Sequence, residues 1–366
     1  MNNKTADNER RGNMSKIVLF IIGLAGIGLL TVLFGPEAVG SVLAGVSPKA
    51  IAVLFILQLS TLMASAWIWY FLLNRESRIS FSAVFLINQA AGLVESLTPS
   101  VKFGGEAAKV YLFRRETRQS VHRLAGMLLV HKFLTMAPFA LLCVVVFLPA
   151  LYFFELPRAV TISLLFLLAA CGGLYWICYR AGADRTGCPE AEARPGNDSG
   201  RLFSRLFQSA SVRLIQAAAF LHQARISAAT LLSNRETMGI FAVSLAIWLF
   251  YPIKVYLACT FLGLTVHPLI IGLATLFAYM VSMAPLSPGG LGTYEGTMAL
   301  FFTIGGMSPA EGLAVSILSR FVTFWFPLFL SGFAFLVLLW RKRLLPVSAG
   351  IRRPDGCGHP KPIEKY

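Results

Sequence analysis

The chain has 366 residues, of which 56% are hydrophobic and only 13% charged, with 29 Phe; this composition excludes an ordinary water-soluble domain and indicates a polytopic membrane protein. Its formal net charge of +15 would suit nucleic acid, but the basic residues stand in short segments beside apolar runs, as in cytoplasmic loops, and no nucleic-acid-binding motif occurs. Six cysteines without C-x-x-C spacing and five scattered histidines support neither a disulfide framework nor a metal site, and no cofactor is expected.

Residues 1–16 form a polar tail with Lys4, Arg10, Arg11 and Lys16, expected in the cytoplasm. The apolar run Ile17–Phe34 is longer than the roughly 7–15-residue core of a signal peptide, and no small-x-small cleavage site follows, so it reads as the first membrane helix. Pro48–Leu73 reads as the second, with Trp67, Trp69 and Tyr70 as an interfacial belt and Arg75 and Arg78 marking its return to the cytoplasm.

Phe81–Phe113 is interrupted by LTPSVKFGGEA over Leu97–Ala107, and the next basic cluster is Arg114, Arg115, Arg118 and Arg123. Both flanks are therefore cytoplasmic, and an even number of crossings lies between them, as a re-entrant hairpin or two short helices. The irregularity of Thr98–Gly105 favours the hairpin, turning at Pro99, Gly104 and Gly105, because non-helical backbone at membrane depth survives only when buried in protein or lining a polar cavity. The third helix, about Leu124–Leu148, runs outward.

The fourth, about Val160–Tyr179, returns to a polar segment, 180–236. Ala181–Gly200 is rich in Gly, Pro and charge and reads as a disordered linker. Beyond it Phe207, Ala210, Leu214, Ala217, Leu221, Ala224, Ala228 and Leu231 mark one stripe of a helix, with Arg205, Arg213 and Arg225 off that stripe. Such a helix either packs on the domain's own cytoplasmic face or lies on anionic lipid. Helix five, about Thr237–Leu262, runs outward and holds Tyr251, Pro252 and Lys254. A second broken segment follows, centred on SMAPLSPGGLGTYEG over Ser282–Gly296. Its flanks carry no Lys or Arg, so this hairpin is expected to enter from the outer side. Ala310–Trp340 then returns to the cytoplasm, tilted and kinked at Pro327 or as two short pieces, ahead of a basic tail, 341–366.

The two broken segments are copies of one unit. Pro99 precedes Glu106 by the interval that separates Pro288 from Glu295, with glycines between in both; Lys132-Phe133-Leu134-Thr135 is echoed by Arg320-Phe321-Val322-Thr323; Pro138 and Pro327 stand equally far from their glutamates. The predicted architecture is all-α, with about six full transmembrane helices plus two broken hairpins, eight membrane segments in all. The membrane domain spans 17–340, with repeats of opposite orientation over about 48–150 and 237–340.

A charge at the bilayer centre costs about 2.5–3.5 kcal/mol on insertion scales, so Glu95, Lys102, Glu106, Lys109, Lys132, Lys254, Glu295 and Arg320 need partners or water and are expected to share one polar interior. Glu106 with Lys132, and Glu295 with Arg320, are structural ion pairs in one reading. In the other, which does not exclude the first, Glu106, Lys132, Lys254, Pro288, Gly289, Gly290, Gly292, Glu295 and Arg320 line a headgroup path. There the helix N-termini at Gly104–Gly105 and Gly289–Gly290 offer N–H groups to a lipid phosphate. No Walker-type loop occurs, leaving a proton, the membrane potential or a downhill lipid gradient as the drive. An integral-membrane enzyme using His122, His131 and Glu106 is a rival reading, although no nucleophile motif stands near either histidine.

The segments PLSPGGLGTYEG and TPSVKFGGEAAKVYLF, with the K-F-L-T and R-F-V-T echoes, resemble the flippase-like membrane region of bacterial lysylphosphatidylglycerol synthases of the multiple peptide resistance factor type, over about Ile17–Trp340. The resemblance implies a translocator moving a phospholipid or isoprenoid-type lipid between leaflets of the cytoplasmic membrane. The alternative is a scaffold for lipid- or envelope-biosynthesis enzymes. Full-length synthases continue into a soluble acyltransferase domain, whereas only Arg341–Tyr366 follow here; synthase activity is therefore not carried over, and no enzyme is expected.

Overall fold

The computed structural model describes residues 36–97, 103–154, 233–283 and 287–344, with isolated positions at 32, 158, 161, 162, 165, 166 and 169. The N-terminal tail, the helix expected at 17–34, most of that expected at 160–179, the linker with its amphipathic stripe, Pro99 and Lys102 in the first turn, and the tail beyond 344 lie outside the described residues.

Every regular element among them is helical: α1 (Pro36–Ala44), α2 (Pro48–Leu73), α3 (Phe81–Leu97), α4 (Phe103–Thr117), α5 (Val121–Phe153), α6 (Asn234–Phe261), α7 (Pro268–Ser282), a 3₁₀ turn (Pro288–Gly290), α8 (Thr293–Ile304), α9 (Pro309–Arg320), a π turn (Phe321–Trp325) and α10 (Phe326–Leu344). Four stretches are long and apolar enough to cross a membrane: Pro48–Leu73, Arg123–Phe153, Asn234–Phe261 and Pro309–Trp340. Their starts are set by local chemistry. Ser47 and Ser120 accept the N–H of Ala50 and Arg123, Ser308 accepts that of Glu311, and the carboxylate of Glu236 accepts the N–H of Ser233 at 2.8 Å, satisfying donors that a helix start leaves orphaned.

The arms α3, α4, α7 and α8 have 17, 15, 15 and 12 residues. At 1.5 Å per residue they span about 18–26 Å, short of the roughly 30 Å hydrocarbon core, so each hairpin turns at membrane depth. The order long helix, broken hairpin, long helix occurs twice, as α2 to α5 and as α6 to α10.

The two copies run in opposite directions, and the contacts between α2 and α6 establish it. Arg75, just past the end of α2, pairs with Glu236 at the start of α6, while Lys254 late in α6 reaches back to Gln58 and Thr61 earlier in α2. Leu54 packs in one cluster with Ala258. Two helices that approach end to start along their whole length are antiparallel, so the hairpin following α2 begins at the opposite end of the bundle from the one following α6. The hairpins are also exchanged between the copies: α3 packs on α10, and α7 on α5. A Cβ on Gly92 of α3 would lie 3.2 Å from Ser331 Oγ of α10, and one on Gly272 of α7 would lie 3.0 Å from Val146 of α5, so both contacts are close.

Three features go beyond the sequence reading. Pro327 does not split the last segment: Phe326 donates its N–H to the Phe321 carbonyl, and one added residue in a π turn carries the helix through. Helix α5 contains Pro138 and Pro149 without interruption. Helix α1, unexpected beside Gly40 and Gly45, lays Val39, Val42 and Leu43 against Ala299, Leu313 and Ala314.

Candidate functional site

In the second hairpin, the P-G-G-x-G sequence has a steric cause. Gly289 and Gly290 adopt φ of +62° and +69°, which L side chains rarely adopt. A Cβ would also fall 2.4 Å from the Phe324 ring at the first and 2.4 Å from Ser282 Cβ at the second. The chain thereby turns tightly against Phe324 and presents the Gly289 carbonyl to Arg320, which donates to it through Nη2.

Arg320 Nε donates to Glu295 Oε1 at 3.2 Å, and the guanidinium lies between the rings of Tyr294 and Phe324, 4.4 and 4.8 Å from their centroids. The second oxygen of Glu295 accepts the Gly292 N–H at 2.6 Å, and the Gly290 N–H goes to the Ser287 carbonyl. This corrects the phosphate-cradle expectation at this end: the N-terminus of α8 is taken up by its own glutamate, wholly buried, and by its own turn.

The first hairpin is built alike and filled differently. Glu106 Oε1 meets Lys132 Nζ at 2.5 Å, and Oε2 lies 3.4 Å from Lys109 Nζ. Trp69 of α2 supports the cluster: Lys109 Nζ sits 5.3 Å above its ring and His131 stacks on it at 4.6 Å. Gly105 lets α4 approach α3, since a Cβ there would lie 2.5 Å from Glu95 Cβ; Gly104 stands beside it in the first turn of α4. Lys132 lies eleven residues beyond Val121 and Arg320 eleven beyond Pro309, so each cation is about 17 Å from the start of its helix. Starting from opposite ends, the two meet near mid-depth.

Between them is one cavity of about 350 Å³, whose wall includes Glu95, Glu106, Lys109, Lys132, Gly289 and Arg320. Three sequence candidates stand behind that wall. Glu295 and Gly292 are engaged as described, and Lys254 points between α2 and α6, 2.5 Å from Gln58 Oε1 and over the Tyr251 ring at 4.1 Å. Tyr251, Tyr279 and Tyr294 meet edge to face in series, with centroids 4.6 and 5.2 Å apart, linking the ring under Lys254 to the ring under Arg320. Gly290 closes the turn, which Pro288 opens.

Sequence reasoning missed the neutral part of the wall: Gln89, Ser244 and Tyr279, with Thr61 and Trp248. A signal existed on α3, where Asn88, Gly92, Glu95 and Ser96 recur on one helical face.

The family model described as "Lysylphosphatidylglycerol synthase TM region" matches residues 17–331. A "UPF0104 membrane protein" from Methanothermobacter thermautotrophicus is 24% identical over 313 residues, which cover 84% of this chain and 91% of that protein.

Proposed function

Because the chain belongs to the lysylphosphatidylglycerol synthase transmembrane-region family, we propose that this helical membrane protein moves a polar-headed lipid, a phospholipid or an isoprenoid-type lipid, between the leaflets of the cytoplasmic membrane. The observation that carries the reading is the meeting of two broken hairpins, begun from opposite ends of the bundle, at one polar cavity near mid-depth. In this reading a headgroup occupies the cavity while its chains stay in lipid, and rocking of one copy against the other opens the cavity to each side in turn. The cavity serves transport and carries no covalent chemistry.

The end of the bundle that bears Arg75, Arg114, Arg115 and Arg123 faces the cytoplasm, and both termini lie on that side. Anionic lipid there attracts the basic segments, and enzymes of lipid biosynthesis supply or receive the substrate.

Leaflet exchange tests the proposal. In liposomes holding the purified chain, a fluorescent phospholipid of the inner leaflet should become accessible to an impermeant quencher many times faster than in protein-free liposomes. Equal rates across a panel of phospholipid and isoprenoid lipids would leave the scaffold reading in its place.

A further inference from the structure

The charged groups of the cavity are largely committed to one another: Glu106 to Lys109 and Lys132, and Arg320 to Glu295 and the Gly289 carbonyl. One carboxylate oxygen, Glu106 Oε2, makes no hydrogen bond and only faces Lys109 Nζ at 3.4 Å; the remaining uncommitted atoms belong to imidazole, amide and hydroxyl side chains. Both ring nitrogens of His131, the amide nitrogen of Gln89 and the hydroxyl of Ser244 are buried and find no hydrogen-bond partner among the described residues. The three residues are 6%, 3% and 1% exposed, come from α5, α3 and α6, and all line the same cavity.

Buried polar groups without partners destabilise the fold, so three on one wall are a standing demand for a ligand that supplies both donors and acceptors. The ring of His131 is held flat on Trp69, which fixes the direction of its nitrogens. A hydroxyl donates and accepts at one atom, so a group bearing several hydroxyls answers an imidazole, an amide nitrogen and a serine together. A phosphate offers acceptors, and an ammonium only donors. The size agrees: about 350 Å³ is at the small end of ligand sites and accommodates a headgroup without its chains.

We propose that His131, Gln89 and Ser244 form a subsite for an uncharged, hydroxyl-rich headgroup, a sugar ring or similar polyol, beside the charged cluster at Glu106. The proposal rests on the reading of the cavity as a headgroup site and names the class of headgroup.

Binding to the purified chain in detergent, followed by quenching of tryptophan fluorescence and by native mass spectrometry, tests it separately from transport. The ligands are monoglucosyl diacylglycerol, diacylglycerol, phosphatidylethanolamine and free glucose. The glucosyl lipid should bind at least tenfold more tightly than diacylglycerol and phosphatidylethanolamine. Gln89→Leu and Ser244→Ala should each remove most of that preference, with unfolding midpoints unchanged or raised, because neither side chain has a protein partner for these atoms to lose. Free glucose competing in the low-millimolar range would place recognition in the hydroxyls themselves; no competition even at molar glucose, with the lipid preference intact, would place it in the hydroxyls as presented by a lipid anchor. Equal affinity for the glucosyl lipid and phosphatidylethanolamine overturns the proposal, as does a preference that both variants retain. Hydroxyl-selective binding without leaflet exchange would refute transport and leave the subsite standing; exchange without selectivity would do the reverse.

Discussion

Arg320 is held on four sides, by the Glu295 carboxylate, the Gly289 carbonyl and the two rings that sandwich it. Removing the carboxylate leaves a buried cation, which costs about 3–5 kcal/mol. Glu295→Gln should therefore lower the unfolding midpoint sharply, and adding Arg320→Gln should recover most of the loss, a coupling read directly from the double-mutant cycle. If the double variant is as unstable as Glu295→Gln alone, the pair is not what the carboxylate serves. Gly289→Ala asks for a left-handed conformation and places a methyl in the Phe324 ring, so it should destabilise by about 1–3 kcal/mol in chemical unfolding. The partnership of Glu295 with Arg320 was legible in the sequence as a repeated spacing. The second task of Glu295, accepting the N–H of Gly292 just before its own helix, was not, because it depends on α8 starting at Thr293, and a glycine-rich turn leaves that boundary open to several positions. The neutral wall of Gln89 and Ser244 escaped notice for a related reason: a single amide or hydroxyl in an apolar helix has no pattern until other helices bring it together with its like.

Among the elements, the long helices and the breaks between hairpin arms were the most legible. Helix α2 runs over the residues that a hydropathy reading selects, since serine, proline and the end of the apolar run bound it on both sides. The exchange of hairpins between copies was not legible, because no local rule sets which long helix a short arm packs on. That exchange is testable. Gly92 and Ser331 are close enough that Gly92→Cys with Ser331→Cys should form a disulfide on oxidation, seen as loss of maleimide reactivity at both positions. Since α3 belongs to one copy and α10 to the other, the bond should stop leaflet exchange until it is reduced. Exchange that continues in the oxidised protein would mean that this contact does not move during transport.

At the scale of the whole molecule the internal symmetry is written in repeated spacings and was readable before any coordinates, whereas the proposed orientation rests on the placement of basic residues alone. Intact cells treated with an impermeant maleimide should leave Cys188 and Cys357 unmodified; reaction at either would turn the bundle over in the membrane. The antiparallel pairing of α2 with α6, closed at one end by Arg75 and Glu236, has a consequence for energetics. Were the two copies identical, exchanging their roles would turn the inward-open form into the outward-open one, and the unloaded protein would divide its time evenly, like a balance with equal pans. The pans here are unequal: one glutamate answers two lysines, the other a single arginine and a peptide N–H, and Lys254 belongs to one copy alone. A difference of about 1.4 kcal/mol between the two forms is a tenfold preference. In the proposed carrier the resting side is thus set by the ways in which its halves fail to match, while the final distribution of lipid, absent an outside energy source, depends on neither half.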